Sequence, residues 1–322
     1  MELYPLSFRP IIKDKIWGGH RLNTLLGKDF GLLSNGGESW EISGVEGDIS
    51  VVTNGALAGK SLNEIITTFG AELMGHSVMD EYGCEFPLLI KFIDANDNLS
   101  VQVHPNNEMA QALHGCNGKT EMWYVMASDK GGNLISGFSK KIDSAQYNTL
   151  VNDGRFLDVL NTVPVKTGDV FFIPSGHIHG IGKGVMVAEI QQTSDITYRV
   201  FDYNRVDANG KGRELHIEKA SRALDFNDID TGKIGYQLTN DSCIKLIDCK
   251  YFNTGIIKIS NAIQRDYTSI DSFVILMCVE GGVTINETYT LDFGQTLLIP
   301  ACMNGVKITP QMESKLLEVY IP

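Results

Sequence analysis

Along this chain apolar residues fall mostly in short runs or strict alternation, and only rarely recur every three or four positions. Segments such as FPLLIKFID, LSVQVHP, EMWYVM, VFFIP and VMVAEIQQ are rich in Val, Ile, Phe and Tyr and are bounded by Gly, Pro, Asn or Asp, which marks them as strands. Helical spacing is confined to four stretches: Ser61 to about Gly75, Asn106 to Leu113, Ser144 to Leu160, and His216 to Leu224. The pattern predicts a mainly β protein, a sandwich or barrel with a few inserted α-helices. A charged, turn-rich stretch, DFNDIDTGK, ends the last helix, after which strands resume up to Pro322. A boundary near residue 232 is expected to divide residues 1–232, carrying the chemistry, from residues 233–322.

The two parts share a pattern. GDVFFIPSGHIHGI, starting at Gly168, matches GQTLLIPACMNGVK, starting at Gly294, in its glycine, apolar run and Ile-Pro turn. In that register His177 meets Met303 and His179 meets Gly305, so only the first copy keeps imidazoles. A Gly, an apolar run and an Ile-Pro turn followed by His resembles the second motif of the cupins. That resemblance implies two jelly-roll barrels, the second degenerate.

Three segments carry candidate chemistry. In NLSVQVHP, extended backbone puts Ser100, Gln102 and His104 on one face and Leu99, Val101 and Val103 on the other. The bland alternative is a half-exposed strand with its polar row in water. In GKTEMWYVM, Lys119, Glu121 and Trp123 alternate with Thr120, Met122 and Tyr124. A carboxylate in such an apolar strand needs a cation unless the strand is an exposed edge. In IPSGHIHGIG, His177 and His179 sit among glycines that let the backbone close around a site. Together His104, Glu121, His179 and Gln102 form the mixed nitrogen and oxygen set of a catalytic zinc site, one ion per chain; Mn or Fe would also suit carboxylate and amide ligands.

Composition removes other classes. The chain has 322 residues, 43% of them hydrophobic, enough for a full core and two domains. Its formal net charge of -12 disfavours nucleic acid or an anionic membrane as partner, so a bound phosphate needs a local cluster of cations. The N-terminal stretch has charges throughout and no long apolar run, so a cytoplasmic location is expected. Cys84, Cys116, Cys243, Cys249, Cys278 and Cys302 include no CxxC pair and are expected to be reduced and mostly buried.

Three blocks, FPLLIKFIDANDNLSVQVHP, GKTEMWYV and IPSGHIHGIGKGVMVAEIQQTSDITYRVFDYNR, together with KIWGG near Trp17 and GESWEISG near Trp40, resemble class I mannose-6-phosphate isomerases in order and character. The likeness covers most of residues 5 to 220, and the length resembles the short bacterial form. It implies His104, Glu121 and His179 as zinc ligands, Gln102 as a fourth, and Arg199 as the catalytic arginine. The implied reaction is interconversion of D-mannose 6-phosphate and D-fructose 6-phosphate through a metal-assisted enediolate, by a monomer or homodimer. The longer enzymes carry His-Lys-Pro-Glu where this chain has Gly118, Lys119, Thr120 and Glu121, so that histidine's role does not carry over. They also carry a helical insertion before the last metal histidine, which this chain lacks.

Within that frame Arg199, which cannot lose its proton at useful pH, is expected to stabilise the enediolate or hold phosphate. Glu189, Lys119 and His177 are the candidate bases, with Glu189 favoured. Ser100, Lys91, Arg205 and His177 are expected to bind substrate, although Arg199 and Arg205 have Asp195, Asp202 and Asp207 near them in sequence to pair with. Trp17 and Trp40 are expected in the core. Two other functions share these residues: another metal-dependent cupin enzyme, against which Gln102-Val103-His104 stands in place of His-x-His, and a non-catalytic sugar-phosphate-binding cupin. The C-terminal copy, without imidazoles, is expected to be structural.

Overall fold

The computed structural model describes residues 2–206 and 209–322. A seven-stranded antiparallel sheet runs in the order Ile11–Lys13, Glu38–Ile42, Leu88–Ala95, Val185–Gln192, Glu121–Ser128, Val170–Ile173, Lys233–Ile234. Facing it is a five-stranded sheet ordered Tyr198–Phe201, Val101–Val103, His179–Ile181, Asn133–Phe138, Leu160–Pro164. Ile93, Trp123, Val125 and Val187 of the larger sheet pack with Leu134 and Ile181 of the smaller one. This is the double-sheet barrel expected from the strand pattern.

The second copy of the motif lies in a second pair of sheets. Five strands, Cys243–Asp248, Asn253–Ile259, Ser314–Tyr320, Val274–Glu280 and Thr296–Ile299, face four others, Ile263–Asp266, Gly305–Pro310, Gly282–Ile285 and Tyr289–Asp292. Between them pack Ile257, Leu276, Cys278, Leu316, Val283 and Ile308. Residues 233–234 still add a strand to the first barrel, pairing with Val170 and Phe171, and the second begins at Cys243.

The two barrels join through one large apolar cluster. Ile90, Met122, Tyr124 and Ala188, on the outer face of the seven-stranded sheet, share it with Ile256, Met277, Leu317 and Val319. The central strands Leu88–Ala95 and Val185–Gln192 are therefore covered on both faces, and all eight residues of each are buried. That double burial explains why they read as near-continuous apolar runs. It also makes the polar residues within them conspicuous.

Helices also enter this cluster. The expected Ser61–Gly75 helix is broken at Gly70 into Leu62–Phe69 and Ala71–Met74, and His76–Tyr82, unpredicted, follows. Ser61 and Glu64 cap the first of these reciprocally. The Ser144–Leu160 stretch is α-helical only to Asn152, because Gly154 takes φ +68° and a 3-10 turn, Phe156–Val159, follows. All six cysteines are free, as expected, but only Cys278 is buried, which corrects the expectation that most would be. Among the described residues no helix is long and apolar enough to cross a membrane.

Candidate active site

Cross-strand register gathers the polar residues. On the smaller sheet Arg199 is opposite Gln102, Gln102 opposite His179, and His179 opposite Ser136, so one row crosses four strands. On the larger sheet Trp40, Lys91, Glu189 and Trp123 form a row, and Gln191 with Glu121 lies in a neighbouring one. The rows meet where His104 follows its strand, and His104, Glu121 and His179 bring one donor atom each to within 4.8 Å of one another.

The donors are prepared for a cation. His104 Nδ1 lies 2.8 Å from the Ile196 carbonyl and His179 Nδ1 lies 2.8 Å from the His177 carbonyl. A carbonyl only accepts, so each ring carries its proton on Nδ1 and turns the lone pair of Nε2 inward. The two Nε2 atoms are 3.2 Å apart, and Glu121 offers Oε2 to His104 at 3.6 Å and Oε1 to His179 at 3.4 Å. Burial pushes His104 well below the ordinary histidine range and His179 down to about 3, so both are neutral. Burial pushes Glu121 up to about 7, against the pull of Lys119.

Neither Glu121 oxygen has a hydrogen-bond partner of good geometry. Lys119 Nζ approaches Oε2 at 2.9 Å and His104 Nε2 at 3.1 Å, giving the cluster one internal cation. One ammonium cannot serve four lone-pair-bearing atoms, and Oε1 has only the unprotonated His179 nitrogen beside it. The donor set of His104, Glu121 and His179 thus fits a divalent metal, and Gln102 adjoins it with its amide nitrogen 3.5 Å from His179 Nε2.

Beside this cluster opens a cavity of about 280 Å³, lined by His179, Gln102, Ser100, Lys119, Lys91 and Arg199 among others. Arg199 Nε donates to Ser100 Oγ at 3.3 Å and its NH1 to the Glu214 carbonyl at 2.9 Å. Lys91 Nζ is buried 3.1 Å from Glu189 Oε2, while Trp123 Nε1 donates to Glu189 Oε1 at 2.9 Å. Burial alone would raise Glu189, but Lys91, Lys119 and the indole bring it down to about 2, and Glu189, Glu38 and Asp195 raise Lys91 against its own burial.

Comparison with known proteins places the chain in a family. The family model for "Phosphomannose isomerase type I, catalytic domain" matches residues 6–131. The chain is 37% identical over 311 residues to the mannose-6-phosphate isomerase of Streptococcus mutans, covering 96% of each chain. It is 36% identical over 318 residues to mannose-6-phosphate isomerase ManA of Bacillus subtilis, again covering 96% of each. The chain belongs to the type I phosphomannose isomerase family. A crystal structure of the mannose 6-phosphate isomerase from Bacillus subtilis matches with a TM-score of 0.86 and 31% identity, over 99% of this chain and 100% of that one.

In this phosphomannose isomerase family member, two residues expected to bind substrate lie outside the cavity lining. His177 does not line the cavity: it is buried against Ser136 and Asp228, Nε2 2.9 Å from Oγ and Nδ1 2.5 Å from Oδ2. It belongs to the turn before strand His179–Ile181, where two-residue alternation does not hold. Arg205 is also absent from the lining, since it pairs with Asp202 and donates to the Asn98 carbonyl. Asp207, the third carboxylate considered for these arginines, lies outside the described residues. The cavity instead receives Arg213, which donates to Asp202 Oδ2 through Nε at 2.8 Å. Lys15 and Asp195 also line it. Arg213 sits in a loop with no periodicity, so no pattern could have singled it out. Trp40 is buried with Nε1 donating to Glu38, and Trp17 is buried yet edges the cavity.

Proposed function

We propose that the protein interconverts D-mannose 6-phosphate and D-fructose 6-phosphate, with one zinc ion held by His104, Glu121, His179 and Gln102. The observation that carries this reading is the convergence of His104, Glu121 and His179 beside a cavity with a surplus of positive charge. Lys15, Lys91, Lys119, Arg199 and Arg213 line it against Glu38, Glu189 and Asp195, five cations to three carboxylates. A chain of net charge -12 has gathered positive charge at one place, which suits a phosphate dianion.

When bound, the metal supplies Lewis acidity toward the substrate's carbonyl and hydroxyl oxygens. Arg199 remains a cation throughout; two of its N–H groups are committed to Ser100 and Glu214, and the others are left for the charge that develops as the enediolate forms. Lys91 and Arg213 add fixed positive charge for the phosphate. Glu189, favoured as base from the sequence, is too acidic at about 2 to take a proton well near neutrality; its work is to hold Lys91 in place. Lys119, in the cavity and beside the donor set, is left as the group that carries the proton between C2 and C1, a step that requires it as the neutral amine and so without the charge counted above.

The test is interconversion of the two sugar phosphates by purified protein, as isolated, after chelation, and with zinc or manganese restored. Activity lost on chelation and regained best with zinc supports the reading. A folded, metal-loaded protein that binds the sugar phosphate without converting it would replace this reading with the non-catalytic binding role.

A further inference from the structure

The stretch DFNDIDTGK, expected to be a boundary segment, lies clamped along the first barrel. Asp225 N donates to the Gly176 carbonyl at 3.0 Å, Phe138 N to the Asp228 carbonyl at 3.1 Å, and Phe172 N to the Gly232 carbonyl at 2.8 Å. Ser136 Oγ donates to the Thr231 carbonyl at 2.7 Å. The approach is close enough that a Cβ on Gly137, whose φ is +75°, would lie 2.1 Å from the Asp230 oxygen. Three elements around the His177 turn are thus tied down by one strap.

At the centre of the strap Asp228 Oδ2 takes the Nδ1 side of His177 at 2.5 Å, while Ser136 Oγ holds the other ring nitrogen at 2.9 Å. The order Ser, His, Asp resembles a hydrolytic triad, yet Ser136 is fully buried, bonded to the Thr231 carbonyl, and outside the cavity, so no substrate carbonyl could reach it. The consequence of the clamp lies on the main chain. The His177 carbonyl accepts the Nδ1–H of His179, and that bond fixes where His179 Nε2 points. The next carbonyl, of Ile178, is held by Gly137 N at 2.8 Å.

We propose that Asp228 is a positioning residue for the metal centre, acting through the His177 ring and then the His177 carbonyl to aim His179 Nε2 at Glu121 and His104. This rests on reading His104, Glu121 and His179 as metal ligands. Partners one layer behind a metal ligand typically matter by about 10–100-fold in metal affinity; Asp228 stands one layer further out, and its removal belongs at the lower end, about 10-fold.

The experiment is competition of zinc between a chromogenic chelator and three proteins, the wild type, Asp228→Ala and Asp228→Asn, with melting measured metal-free and zinc-saturated. Asp228→Ala should bind zinc about 10-fold more weakly. Its zinc-induced rise in melting temperature should shrink. Asp228→Asn, which keeps an oxygen acceptor for His177, should recover most of the affinity. Zinc affinity of Asp228→Ala within about twofold of wild type, or metal-free and zinc-loaded melting falling by the same amount, would overturn the inference and make the strap purely structural. So would equal loss in the Ala and Asn variants. Should Asp228→Ala not fold, Ser136→Ala, which frees the other ring nitrogen, decides the matter: weaker zinc binding supports the relay and unchanged binding ends it. A wild type that binds no zinc would instead remove the ligand assignment, and this inference with it.

Discussion

His104 and His179 face each other Nε2 to Nε2 at 3.2 Å, each having committed its Nδ1–H to a main-chain carbonyl. Two inward lone pairs at that separation repel unless a cation stands between them, and Glu121 supplies the matching negative charge. Glu121→Gln keeps the shape and removes the charge. It should weaken zinc binding by about 100-fold or more, since it strips a ligand rather than a partner of one. Chelator competition measures this. Unchanged affinity would mean that Glu121 serves Lys119, 2.9 Å away, and not a metal.

Two arginines of similar sequence context should behave oppositely. Arg213 lines the cavity and Arg205 does not, although both pair with Asp202. Arg213→Met should raise KM for mannose 6-phosphate about 10-fold, the equivalent of about 1.4 kcal/mol, with kcat little changed. Arg205→Met should leave KM alone and lower the melting temperature, because it removes the tie between Asp202 and the Asn98 carbonyl. Steady-state kinetics on both variants separates the assignments; a KM effect from Arg205→Met alone would restore the expectation drawn from the sequence.

That reversal shows where the sequence stops being readable. Gln102 and Glu121 were legible because they sit on strands, and Ser100 because it directly precedes one, where alternation assigns a face; their apolar neighbours Val101, Val103, Met122 and Tyr124 do pack away from the cavity. The direction of His177 was not legible because it lies in a turn closed by its own N–H to the Pro174 carbonyl, where no alternation assigns a face. Arg205 and Arg213 lie in irregular chain, where tertiary pairing alone decides direction. The two-barrel fold followed from strand runs and the repeated Ile-Pro turn. Nothing local announced that the DFNDIDTGK stretch would double back on the turn that holds His177.

The Lys91–Glu189 pair predicts a pH dependence of stability. Glu189 titrates near 2 in the fold against about 4.3 in an unfolded chain, so its contribution is fully present above about pH 4.5 and is lost as pH falls toward 2. Glu189→Gln should therefore be less stable than wild type at pH 7, with the gap narrowing between pH 4.5 and 3 in denaturant unfolding. A gap that stays constant down to pH 3 would show that Glu189 is not held ionised by Lys91.

The second barrel keeps a buried carboxylate at the place corresponding to Glu189, on the central strand of its larger sheet, and meets it differently. Glu318 accepts from Arg265 through Nε at 2.9 Å and NH2 at 2.6 Å, and from Tyr267 at 2.8 Å. The charge is satisfied within the barrel by a fork that leaves it little to offer a ligand, whereas Glu189 shares a cation with an open cavity. This barrel's larger sheet also packs its other face on the first barrel through Leu317 and Val319, a packing that predicts a supporting role. Arg265→Met strands a buried carboxylate. The cost of such a loss is about 3–5 kcal/mol when both partners are buried, and about 2–3 kcal/mol here because the Arg265 side chain is 26% exposed. The variant should melt several degrees lower with kcat and KM close to wild type. A fall in kcat at a temperature where the variant is fully folded would make the second barrel a participant in catalysis rather than a support.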